Sequence, residues 1–118
     1  MNSIEQMVAH LRKEVSAFSS RIFPVVHPER GRQWPALVYM SIGGEQMNML
    51  RGNDILEPVI RLDIRAKGYG ELMALEKTIR EKLKGQPFVA QIPEESIDLY
   101  DEKIAVFRRV FNVTLTHS

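Results

Sequence analysis

The stretch VIRLDIRAKGYGELMALEKTIREKLKG, Val59 to Gly85, changes its period half-way along. Before the glycines, Ile60, Leu62, Ile64 and Ala66 alternate with Arg61, Asp63, Arg65 and Lys67, the pattern of a strand with one wet face. After them Leu72, Leu75, Ile79 and Leu83 recur at spacings of three and four, which predicts a helix. Gly85 stands where a C-terminal stop is expected, and Glu76–Arg80 and Glu81–Lys84 are available as ion pairs on the wetter side. Pro58 cannot donate to a ladder, so it marks an edge, a bulge or the start of the strand. Lys67 to Gly70, KGYG, also matches the opening of the motif by which RNA-recognition domains read RNA. That motif continues as an alternating strand whose aromatics stack on bases. Here a helical period follows and no second aromatic precedes it, so the match is read as turn chemistry.

Working outward, Ile4, Met7, Val8, Leu11, Val15 and Phe18 form one apolar stripe, a first helix with Ser3 and Gln6 read as its capping box. Arg21-Ile22-Phe23-Pro24 reads as a short extended segment, followed by an irregular, exposed loop carrying Pro28, Gly31 and Pro35. Ala36 to Ile42 is a strand by β-propensity, and Gly43-Gly44 turns it toward a returning arm, Glu45 to Leu50. PFVAQI, Pro87 to Ile92, is a short strand candidate; PEESIDLYDE, Pro93 to Glu102, reads as an acidic loop or turn. In the closing strand Ala105, Phe107, Phe111, Val113 and Leu115 face one way, with Arg109 an exception on that apolar face. The tally predicts one α+β domain spanning residues 1–118, a mostly antiparallel sheet of about four to five strands with two helices on one face.

Sixteen basic against fifteen acidic residues leave a net charge of +1, too balanced for a domain whose affinity comes from neutralising phosphates. There is no cysteine, which removes disulfides, thiolate metal sites and thiol nucleophiles. The N-terminus has no apolar leader and no stretch is long enough to span a bilayer, so the expectation is a soluble, unprocessed chain. His10, His27 and His117 are scattered, and no P-loop, nucleophile elbow or dinucleotide fingerprint occurs. The expectation is no enzyme, no cofactor and no metal.

One cluster stands out: Glu94, Glu95, Asp98, Asp101 and Glu102 are five acids in nine residues. It reads as a solvated acidic loop, a divalent-cation site or an acidic interaction surface. Arg30, Arg32, Arg51, Arg108 and Arg109 supply complementary positive charge elsewhere. Separated charges of this kind would let copies pair head to tail, and such contacts close into rings when the rotation allows. Trp34, Met47 and Met49 are candidate anchors. The predicted protein interface is therefore Arg30, Arg32, Trp34, Met47, Met49, Arg51, Asp98, Asp101, Arg108 and Arg109.

Taken in order, RIFPVVHPERGRQWPALVYMSI, then PVIRLDIRAKGYGELMALEKTIREKL, then DLYDEKIAVFRRVFNVTLTH resemble the tail-completion proteins of long-tailed bacteriophages, which are similar to the tail terminators. The resemblance rests on the R-I-F-P segment, the W-P-A-L-V-Y strand and a turn with an aromatic at Tyr69. It also rests on the D-L-Y-D turn and the closing strand with paired arginines. It implies a structural virion protein, phage- or prophage-encoded and assembled in the host cytoplasm, that forms a homo-oligomeric ring, commonly of six copies. The ring would sit at the head-proximal end of the tail tube, end its polymerisation and join it to the neck proteins of the head. DNA would pass without being read, and no membrane is involved. The hairpin around Gly43 to Asn53 is the expected arm between subunits. Two other readings compete: a generic oligomeric protein-binding adaptor, and a small metal-assisted hydrolase using the acidic cluster.

Overall fold

The computed structural model describes residues 2–25, 33–42 and 57–116. The element order is α1 (Ser3–Glu14), a helical turn (Ser16–Phe18), β1 (Ile22–Pro24), β2 (Ala36–Ile42), β3 (Val59–Ala66), α2 (Tyr69–Leu83), β4 (Val89–Gln91), β5 (Ile97–Asp101) and β6 (Val106–Leu115). The class is α+β. The sheet runs β1-β2-β3-β6-β4, with β5 also paired to β6, so it has six strands where four to five are expected from the sequence. Among the described residues only β1–β2 is parallel; the other pairings are antiparallel.

The first helix starts one residue earlier than its sequence suggests. Asn2, not Ser3, is the N-cap: Glu5 N–H donates to Asn2 Oδ1 at 2.8 Å and Asn2 N–H to Glu5 Oε1 at 3.5 Å. Both residue pairs fit a capping box, and the pair that is made is Asn2 with Glu5. The helix stops at Glu14, yet Val15 and Phe18 stay buried because the following turn continues the stripe.

The alternation of β3 survives intact: Ile60, Leu62, Ile64 and Ala66 are all fully buried beneath the helices. Leu72, Leu75, Ile79 and Leu83 of α2 and Met7, Val8 and Leu11 of α1 meet them in one cluster, which Phe111, Val113 and Leu115 of β6 complete. Each such side chain contributes about 1.5–3 kcal/mol relative to exposure. His10 Nε2 lies 2.9 Å from the Lys82 carbonyl and ties α1 to the end of α2. Gly85 follows α2 at φ 79°, a left-handed turn that glycine adopts without a Cβ penalty.

The acidic segment is not a loop. Ile97 to Asp101 form β5, in register with Val110 to Val106 of β6. Its alternation is Ile97, Leu99 against Asp98, Tyr100; the acids flanking it lower its apparent β-propensity and hide the period. A second correction concerns the face of β3 that carries Arg61, Asp63 and Arg65. Asp63 is buried there, between Val38 of β2 and Val110 of β6, which are buried too. That face is therefore wet only in part. Its apolar members come from neighbouring strands, which the pattern within β3 could not reveal.

Candidate interaction surface

Polar contacts run along both faces of β6, and those on the helix side position the edge that β5 forms. On the helix side Arg109 stands opposite Ile64 of β3 and Asp98 of β5, at the margin of the core. An arginine facing a core needs partners for its donors, and three side chains supply them. Arg109 Nη1 donates to Glu76 Oε1 at 2.7 Å, Nε to Asp98 Oδ1 at 2.6 Å, and Nη2 to Asp98 Oδ2 at 3.0 Å and to the Tyr69 hydroxyl at 2.7 Å. Tyr69 in turn donates its O–H to Asp98 Oδ2 at 2.5 Å. The chain continues through Glu76, whose Oε2 accepts from Arg80 Nε at 2.9 Å. Glu76 is only 8% exposed, so this pair lies at the core margin and not on the wetter side of the helix. Arg80 passes 4.3 Å over the Phe111 ring and donates to the carbonyls of Pro93 (2.7 Å), Glu94 (3.3 Å) and Glu95 (3.4 Å). One helix thus grips both the strand β5 and the segment that leads into it.

The electrostatics follow from these bonds. The Arg109 guanidinium, and after it the Tyr69 hydroxyl, hold the Asp98 carboxyl below the usual carboxylate range. The hydrogen bond to Asp98 pushes the Tyr69 hydroxyl up, because ionising it would remove the donated proton. Arg109 is raised, first by its bond to Asp98.

KGYG has its explanation here. Tyr69 is the first residue of α2 and not a strand residue; its ring meets Phe107 edge-on at 5.6 Å while its hydroxyl reaches β5. Lys67 donates to the Ile104 carbonyl at 2.7 Å, in the turn between β5 and β6. Both side chains of the motif clamp one hairpin.

On the helix-free face Arg108 forms a second anchor. Its Nε and Nη2 donate to Asp63 Oδ1 (3.2 Å) and Oδ2 (2.5 Å), and Arg65 Nη2 adds a bond to Oδ2 at 3.1 Å. The bond to Asp63 raises Arg108. Beside it a groove of about 380 Å³ is lined by Arg61, Ile97, Leu99, Arg108, Val110 and Asn112.

Of the ten predicted interface residues, Arg30, Arg32, Met47, Met49 and Arg51 lie outside the described residues, as do the arm around Gly43 to Asn53, His27 and His117. The structure brings Asp98 and Arg109 together within one chain. It places Arg108 on the opposite face with Asp63, and leaves Asp101 accepting from the Lys103 N–H at 3.1 Å in the hairpin turn. Two of the predicted interface residues, Asp98 and Arg109, are thus partners of each other inside one subunit. Trp34 is half-buried, with Lys67 Nζ 5.8 Å from its ring centre. Asp98 and Asp101 point to opposite faces of β5, and among the described residues no three His, Cys, Asp or Glu side chains gather as metal ligands.

What the sequence reading missed is the apolar content of β5. Ile97 is 62% exposed, Leu99 43% and Tyr100 51%, with Tyr69 and Met73 of α2 also exposed. Tyr100 packs on Phe107 at 4.8 Å, extending the aromatic row that Tyr69 begins. Alternation across IDLY was the available signal. Compared with protein-family models and with curated protein sequences, the chain matches none. Among the described residues no helix is long and apolar enough to cross a membrane.

Proposed function

We propose that the chain is a structural assembly protein, a phage tail-completion subunit that joins copies of itself into a ring at the head-proximal end of a tail tube. The ring, commonly of six copies, ends tube growth and presents a surface to the head's neck proteins. One observation carries the assembly reading. Beside the first turn of α2, Asp98 of β5 and Glu76 are paired with Arg109 inside the subunit, and Ile97, Leu99, Tyr100, Tyr69 and Met73 stand exposed around them. A surface of this kind is suited to contact with protein, and its ionisable groups, Glu76, Asp98, Arg109 and Tyr69, bond one another. The order of segments that resembles tail-completion proteins supports the narrower assignment, and an α+β fold with both helices on one face of the sheet is consistent with it. The test is genetic and microscopic. Deleting the gene from its phage or prophage should give filled heads without tails, together with tails of uncontrolled length, both visible by negative stain; plasmid-borne chain should restore joined particles. Normal virions from the deletion would overturn the assignment.

A further inference from the structure

We propose that two copies of the chain pair edge to edge through β5, antiparallel, about a two-fold axis passing at Leu99. Among the described residues β5 pairs only with β6, so the main-chain groups on its outer edge have no strand partner. Along that edge Ile97 to Asp101 contain no proline, no lysine and no register break, and the charge of Asp98 is paired with Arg109 behind the strand.

The partner edge is decided by what the other edges lack. In β1 the main-chain groups of Arg21 and Val25 bond inward to β2, so Ile22 and Pro24 point outward. Pro24 has no N–H, and the Ile22 carbonyl already accepts from Arg12 Nη2 at 3.3 Å. β4 has three residues, a register shift between Val89 and Gln91, and Pro93 just beyond. Neither offers β5 a run of free donors and acceptors. A second β5 does.

The side chains choose the register. A two-fold axis perpendicular to the sheet keeps the faces matched, so only registers two residues apart compete. With Leu99 on the axis, Leu99 meets Leu99 of the second copy, Asp98 meets Tyr100 of the second copy, and Glu95 falls across from Lys103. Moving the axis to Asp98 sets the two Asp98 side chains against each other. Moving it to Tyr100 sets Asp98 against Glu102. Like charges directly opposite are destabilising, so the axis stays at Leu99. Asp98 can take the contact: Arg109 Nε, Arg109 Nη2 and the Tyr69 hydroxyl fill three of its roughly four lone-pair sites, leaving one for the Tyr100 hydroxyl of the second copy. On the helix-free face Leu99 would meet its copy beside Val110, with Ile97 diagonal to it and across from Asp101 of the second copy, so that part of the exposed area of Ile97 and Leu99 is covered.

The pairing goes beyond the ring reading, although both draw on the exposed side chains of β5. It is isologous and closes on two copies, whereas a ring needs a head-to-tail contact. Dimers without rings, or rings without two-fold dimers, separate the two. The pairing also has a distinctive salt response. The acids around β5 approach their copies in the dimer, so added salt should tighten it, while a charge-paired head-to-tail contact should loosen.

The chain contains no cysteine, so one introduced thiol reports the contact cleanly. Under mild oxidation Leu99→Cys should form disulfide-linked dimer at least about tenfold faster than Lys77→Cys on the exposed side of α2, because pairing raises the effective thiol concentration. Leu99→Glu, which sets two carboxylates on the axis, should abolish the concentration-dependent association seen by sedimentation velocity while keeping the circular dichroism of the parent. Equal cross-linking of the two cysteine variants, or unchanged sedimentation of Leu99→Glu, would overturn the proposal.

Discussion

The two sides of the sheet treat their outer strands differently. β1 is three residues long, its Ile22 is buried, its Pro24 lacks a donor and Arg12 occupies the one outward carbonyl that matters. β5 is five residues long and exposes Ile97, Leu99 and Tyr100, and its outward row is left open among the described residues. Proteins ordinarily blunt an exposed edge because it templates pairing with other chains. Here one side follows that rule and the other does not. The unprotected strand is also the one held most firmly from behind, by Arg109, Tyr69, Glu76 and Arg80. A pairing surface must keep its shape when unpaired, and this network supplies the rigidity.

The most severe way to break the contrast is to remove its anchor. Arg109→Ala would leave Glu76 at the core margin with Arg80 alone and release Asp98 and Tyr69. A loss of about 3–5 kcal/mol in urea unfolding is expected, the range for stripping one partner from a buried pair. Amide exchange should accelerate at Ile97 to Asp101 and not at Ile22 to Pro24; equal acceleration at both would mean that the network supports the whole sheet and not this edge.

A milder change tests whether blunting is what separates the two strands. In a Leu99→Glu background, where β5 pairing is blocked, Arg12→Ala with Pro24→Ala frees the Ile22 carbonyl and restores a donor at position 24. Folding stability should fall by only about 0.5–1.5 kcal/mol, the value of one hydrogen bond. Concentration-dependent association should nevertheless return in sedimentation velocity. If the double change leaves the chain monomeric, edge chemistry does not explain the difference.

The smallest effect is a pH dependence. Asp98 has its carboxyl lowered in the fold, so its pairing with Arg109 stabilises in full above the unfolded value of about 3.9 and is lost as pH falls through the lower folded value. Asp98 is near half exposed, which screens the effect. Thermal melts at a series of pH values should show a slightly flatter acid limb for Asp98→Asn than for the parent; identical limbs would place acid sensitivity elsewhere.

Much of this molecule was legible residue by residue. The alternation of Ile60, Leu62, Ile64 and Ala66, the stripes of both helices, the Gly85 stop and the α+β class follow from periods of two and 3.6, which are properties of a single segment. Arg109 was visible as a misfit on an apolar face, and Tyr69 as an aromatic without a second one to make a platform. What a misfit means was not visible. Arg109 finds Glu76 and Asp98, Asp63 finds Arg108, and Tyr69 reaches Asp98, all across many residues of chain. Whether a charge is solvated, paired within the subunit or offered to a partner depends on which strands lie side by side. β5 shows the same division. Its alternation was written in IDLY, but five neighbouring acids made it read as loop, and only its seat against β6 made it a strand. Local periodicity determined the elements and their buried faces; the partners of each charge, and which edge was left open, were decided by the order of strands, because pairing is a property of two segments and never of one.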